Sequence, residues 1–125
     1  MKFMILIYGS EGAWAAIGKA EGDEIGATHR KIQDSLRITG ELVDHKELAL
    51  EGAWIVGSID RAPSESQGPL RVGGLILGGY YLVNCSDRDR AVEIASQFKE
   101  AEFAPIEVRR LSGETTWDNG SPSVE

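Results

Sequence analysis

Residues Phe3-Met4-Ile5-Leu6-Ile7-Tyr8 carry large, mostly apolar side chains at odd and even positions alike. A strand built from them must therefore be hidden from water on both faces or lie at a subunit interface. Tyr80-Tyr81-Leu82-Val83 repeats the pattern later in the chain. Helices over one sheet face leave the other to be covered, and two copies packed sheet to sheet would cover it. The run at the start of the chain is too short for a secretory signal and lacks a small-residue cleavage site, so it is read as a strand.

A chain of 125 residues has length for one core and too little for a second. Hydrophobic residues at 42% and charged residues at 26% are the balance of a globular protein. No apolar run approaches the roughly 20 residues that a membrane-spanning helix needs. Cys85 is the single cysteine, so no internal disulfide forms, no zinc-site spacing exists, and a reducing cytoplasm is the expected location. A net charge of −7 repels phosphate backbones, which argues against nucleic-acid binding.

Along the chain, Lys2 to Tyr8 is a strand ending at Gly9-Ser10, and Glu11 to Ala20 holds one or two helical turns with Trp14 and Ile17. A longer helix is expected from Asp23 to Thr39, stopped by Gly40, with Ile25, Ile32 and Leu36 as its apolar stripe. His29, four positions after Ile25 and three before Ile32, belongs to that inward face. Leu42 to Leu50 and Ala53 to Asp60 read as two strands closed into a hairpin at Glu51-Gly52. Arg61 to Gln67 reads as a polar loop, and the glycine-rich stretch Gly68 to Gly79 leaves room for a short extra strand. Tyr80 to Cys85 is a strand, Ser86 the expected N-cap of a helix with Ala91, Ile94, Ala95 and Phe98 inward, and Ile106 to Leu111 the last strand. The division expected is a domain over 1–111 and a polar tail over 112–125, in which Trp117 is the one residue suited to docking.

Strand, helix, two strands, glycine-rich insert, strand, helix, strand is close to the split βαββαβ plan of ferredoxin-like α+β folds. The residues also carry a family resemblance. Lys2 to Gly9, Trp14, a helix containing His29, Gly40-Glu41-Leu42-Val43, then Gln67-Gly68-Pro69-Leu70 and Leu77-Gly78-Gly79-Tyr80-Tyr81-Leu82 resemble, in order and spacing, the DGPF branch of the YCII-related family over about Met1 to Leu111. The resemblance implies a ferredoxin-like fold with an inserted hairpin or glycine-rich loop, assembled as a dimeric α-β barrel around a cleft thought to be enzymatic. It implies a catalytic histidine at His29 paired with an aspartate. The position of that aspartate, nine residues further along the helix, is Ile38 here, and the aspartate of the DGPF motif is Gln67, so both family acids are absent. Val72-Gly73-Gly74-Leu75 replaces charged residues of relatives, which makes the expected pocket wall more apolar.

His29 is the candidate acid or base, since an imidazole changes charge in the physiological range; the competing reading is a core histidine with both nitrogens satisfied. Tyr8, Trp14, Gln67, Leu70 and Tyr80 are the residues expected to bind substrate, with Tyr81 a further aromatic candidate; aromatic residues on strands also read as plain core. His45 is expected at the surface, since its neighbour Asp44 in a strand points the other way. Asp34 lies about 140° round the helix from His29 and is expected to face solvent. The glycines lack the phosphate-cradling pattern, and Cys85 lacks an activating base.

Three functions follow as expectations. The first is a cofactor-independent, dimeric enzyme doing proton transfer (isomerisation, cyclisation, elimination or hydrolysis) on a largely apolar small molecule of specialised metabolism. The second is a non-catalytic binding or accessory protein that has lost the family's acids. The third is a heme- or oxygen-handling enzyme, as in other dimeric α-β barrel families. No metal ligand set is read from the sequence.

Overall fold

The computed structural model describes residues 1–59 and 62–113. Strand β1 (Lys2–Gly9) leads through a short helix α1 (Glu11–Ala15) into a long helix α2 (Lys19–Thr39). Then come β2 (Leu42–Glu47), β3 (Trp54–Ile59), β4 (Ala62–Gln67), β5 (Ile76–Asn84), helix α3 (Arg88–Ala95), a 3-10 turn (Lys99–Glu102) and β6 (Ile106–Arg110). The main sheet runs β2-β5-β1-β6, and every pair in it is antiparallel. The two longest strands are central and the helices cover one face, the ferredoxin-like arrangement expected from the element order.

Alternation explains which residues face the helices. Along β1 the buried side chains are Phe3, Ile5 and Ile7, and along β5 they are Tyr81, Val83 and, beyond the register shift that sets it opposite Gly9, Ile76. Ile32 and Leu36 of α2 and Ala91, Ile94 and Ala95 of α3 meet Phe3, Ile5, Ile7, Tyr81 and Val83, with Phe98 just beyond α3. The opposite face carries Met4 and Leu6 beside Leu82 and Tyr80, all partly buried.

Helix α2 starts at Lys19, four residues before the expected Asp23. Extended Gly18 caps it, and Lys19 reaches Asp23 one turn on. Gly40 ends it in the left-handed conformation at φ 79°, and Glu41 N–H closes back onto the Leu36 carbonyl at 2.9 Å. Asp87, not Ser86, caps α3: its carboxylate accepts from Arg90 N–H at 2.9 Å.

The expected hairpin between Leu42–Leu50 and Ala53–Asp60 does not form. β2 is an edge strand of the main sheet beside β5, whereas β3 pairs with β4 in a separate two-stranded sheet. The segment expected as a polar loop thus holds β4. Glu65, Ser66 and Gln67 are exposed, and a proline in the strand is tolerated because a two-stranded sheet has only edges. β5 starts at Ile76 rather than Tyr80, and Gly73 and Gly74, at φ 59° and 82°, turn the chain just before it between the bridged pair Val72 and Leu75. Gly78 and Gly79 remain inside the strand because neighbours crowd them: a Cβ on Gly79 would come within 2.9 Å of the Lys46 carbonyl oxygen. Residues 60 and 61, on which the expected second strand ends and the expected polar loop begins, and the chain from 114 on, Trp117 included, lie outside the described residues.

Candidate functional site

A cleft of about 890 Å³ opens between α2 and the helix-covered side of the sheet. Ile25, Gly26, His29 and Gln33 border it from α2, His45 from β2 and Tyr81 from β5. Helical spacing puts 25, 29, 32, 33 and 36 on one side of α2, so the turn that buries Ile32 and Leu36 also aims His29 at the sheet. Strand register does the same from below: Tyr81 sits opposite Ile5 on one side and His45 on the other.

These side chains form one connected group. Tyr81 Oη is 2.7 Å from His29 Nδ1 and receives the Gln33 side-chain amide at 2.8 Å. His29 Nε2 lies 2.5 Å from Glu100 Oε2, with side-chain exposures of 21% and 13%, so the pair is largely shielded from water. Phe98 packs on both rings, 5.0 Å from His29 and 4.7 Å from Tyr81, and His45 stacks on Tyr81 at 5.2 Å and 16°. Glu100 arrives on the 3-10 turn after α3. Lys99 ties that turn to α2 by reaching Glu24 at 3.7 Å.

Burial raises the Tyr81 hydroxyl above the ordinary phenol range, an effect the Gln33 hydrogen bond only partly offsets and the Glu100 charge reinforces. Burial is also the main cause that lowers His45, with Arg37 and Lys46 adding repulsion. On the other sheet face, Lys46 and the Tyr80 hydroxyl hold Asp44 down to about 2. The Tyr80 phenol, donating to that carboxylate at 2.8 Å, is raised in turn.

The residues expected at the site divide accordingly. His29 and Trp14 line the cleft. Tyr8 and Tyr80 stand at its margin, but alternation turns their phenols to the far face, where Tyr8 reaches Glu107 at 3.3 Å and Tyr80 reaches Asp44. Gln67 and Leu70 stand outside the cleft. Gln67 is exposed and pairs with Trp54 in the separate hairpin, and Leu70 is 64% exposed just past it. The apolar wall is likewise not Val72 to Leu75: Val72 is 69% exposed, and Ile25, Leu48 and Leu50 supply apolar lining instead. His45, expected at the surface, borders the cleft, while Asp34 faces solvent and pairs with Arg37.

Four site residues escaped the sequence reading in whole or part. His45 and Tyr81 are a cross-strand pair, legible only once β2 is aligned on β5. Gln33 is one helical turn from His29 and was open to discovery by spacing. Glu100 had no signal separating it from Glu93 and Glu102. Among the described residues no group of three or more His, Cys, Asp and Glu side chains is gathered to hold a metal ion, and no helix is long and apolar enough to cross a membrane.

Fold and site together define a ferredoxin-like α+β protein with a histidine–carboxylate pair beside a cleft between helix and sheet. The chain belongs to the YCII-related family, whose domain profile matches residues 1–113. No curated protein matches it.

Proposed function

We propose that this protein is a cofactor-independent acid/base catalyst, moving protons on a small, largely apolar organic molecule, and that it acts as a homodimer in the cytoplasm. The observation that carries the reading is the His29–Glu100 contact at 2.5 Å beside the cleft. A carboxylate on one imidazole nitrogen orients the ring and stabilises the cation formed when the other nitrogen takes up a proton. Glu100 thereby supplies the acid missing at Ile38. Trp14, Ile25, Leu48 and Leu50 offer an apolar bed for the body of a substrate. The dimer is supported by the partly apolar sheet face of Met4, Leu6 and Leu82, and the cytoplasm by Cys85, whose thiol is buried and raised chiefly by that burial.

The test is a mixture screen of small aromatic and alicyclic ketones, lactones and enols, followed by proton NMR against wild-type protein and His29→Gln. At least one compound should be converted by the wild type, and His29→Gln should convert it about 10²–10⁴ times more slowly. Compounds that bind without being changed would replace this reading with that of a binding protein.

A further inference from the structure

We propose that Tyr81, oriented by Gln33, holds His29 as its Nε2–H tautomer and stands between Nδ1 and a bound molecule, so that Nδ1 exchanges protons only through the phenol. Both imidazole nitrogens are already engaged, Nδ1 with Tyr81 Oη at 2.7 Å and Nε2 with Glu100 Oε2 at 2.5 Å. Two proton arrangements fit those distances. In one, Gln33 donates to Tyr81, Tyr81 donates to Nδ1, and Nε2–H donates to the Glu100 carboxylate. In the other, Nδ1–H donates to Tyr81, which accepts twice, and a second proton is shared between Nε2 and the Glu100 carboxylate.

Donor counting separates them. In the first arrangement the Tyr81 hydroxyl hydrogen and the His29 Nε2 hydrogen both have acceptors, and the buried Glu100 Oε1 is left without a partner. The second leaves the same oxygen and strands the Tyr81 hydroxyl hydrogen as well, on a residue only 3% exposed. A buried donor without a partner is rarer and costlier than an acceptor with a spare lone pair. Bonds that all donate in one direction also polarise one another. Burial keeps the phenol protonated and hence able to donate.

One consequence rests on the acid/base reading above. A proton leaving a bound molecule enters at the Tyr81 oxygen while the phenol's own proton passes to Nδ1. The imidazolium so formed lies against the Glu100 carboxylate, and the reverse movement returns the proton. No oxidant or further reactant is involved.

The test does not need a substrate. Two histidines, His29 and His45, make the side-chain spectrum of protein labelled with ¹⁵N-histidine assignable with His45→Gln. The wild type should show His29 protonated at Nε2 and bare at Nδ1. Tyr81→Phe, which keeps the ring packing, should give a mixture of tautomers, and diethyl pyrocarbonate should then modify His29 severalfold faster than in the wild type. Gln33→Leu should give the same tautomer mixture without touching the ring packing, and so keeps the test open if Tyr81→Phe fails to fold. A proton on Nδ1 in the wild type, or an unchanged spectrum in the variants that fold, would overturn the proposal. A turnover screen with no compound converted would instead overturn the acid/base reading and leave the tautomer result standing.

Discussion

Glu100 Oε2 stands 2.5 Å from His29 Nε2 although the two residues lie 71 positions apart. Ile38, on the same helix as His29, is 87% exposed and points away from the cleft. The carboxylate therefore comes from the 3-10 turn after α3 and not from α2. Glu100→Gln should lower turnover about 10²-fold or more while the protein stays folded. Glu100→Ala should also cost about 1–3 kcal/mol of stability, because the largely shielded imidazole N–H is left without its acceptor. Ile38→Asp should leave turnover unchanged and stability within about 0.5 kcal/mol. Kinetics on a converted compound and thermal unfolding check these outcomes; activity gained from Ile38→Asp in a Glu100→Gln background would contradict them.

Arg90 grips Glu41 with both prongs of its guanidinium, Nε to Oε2 at 2.9 Å and Nη2 to Oε1 at 2.7 Å, and so joins the end of α2 to α3. Arg90→Ala should destabilise by about 1–3 kcal/mol in denaturant unfolding, and Arg90→Lys should recover only part, since an ammonium cannot reproduce the fork. Arg90 chiefly, and Thr39 as well, holds the Glu41 carboxyl below its ordinary value of 4.5 against a smaller opposing effect of burial. A depressed carboxylate contributes stability that is fully present above the unfolded-state pKa and disappears as pH falls through the lower folded value. The gap between wild type and Arg90→Ala should hold from neutrality to about pH 5 and close below pH 4.

The sequence shows the parts governed by local chemistry and hides those governed by pairing. Gly40 announces the end of α2, and the spacing of Ile25, His29 and Ile32 announces an inward histidine. The partner of β2 was misread because Glu51-Gly52 is a sound turn signal: Gly52 does adopt φ 80°, yet the turn carries the chain between sheets instead of folding it back. Glu65, Ser66 and Gln67 look like a loop because an exposed ribbon needs no apolar alternation. Tyr80 and Tyr81 are equivalent as neighbours in a motif. Which one meets His29 depends on the phase of β5 against β1, set in part by the irregularity at Ile7 and Tyr8 where the strand passes Gly78.

Gly9 and Gly78 make the seat on which Trp14 forms the end of the cleft. A Cβ on Gly9 would collide with the indole ring, and one on Gly78 would approach it to 3.2 Å. Gly9→Ala should push the indole out of its seat, destabilise by about 1–3 kcal/mol and shift the emission of Trp14 toward that of an exposed tryptophan. Gly78→Ala should give the same changes in weaker form. Fluorescence in a background where Trp54 and Trp117 are replaced by Phe reads Trp14 alone. An unchanged spectrum in Gly9→Ala would show that the ring is not seated between these glycines.

The far sheet face sets Met4 and Leu6 beside Leu82 in its middle, with Asp44 and Lys46 along one edge and Glu107 and Arg109 along the other. In register, Lys46, Tyr80, Leu6 and Glu107 form one row, and Asp44, Leu82, Met4 and Arg109 the next. A two-fold axis parallel to the strands would set Lys46 over the partner's Glu107 and Asp44 over the partner's Arg109, joining unlike charges around an apolar centre. Leu6→Glu should therefore place like charges in the middle of the interface and yield a monomer, while the circular dichroism of the fold is retained. Lys46→Glu should weaken the dimer, and adding Glu107→Lys should restore it. Sedimentation velocity separates the outcomes: a wild type that sediments as a monomer, or a double variant no better than the single, would remove this face as the dimer contact.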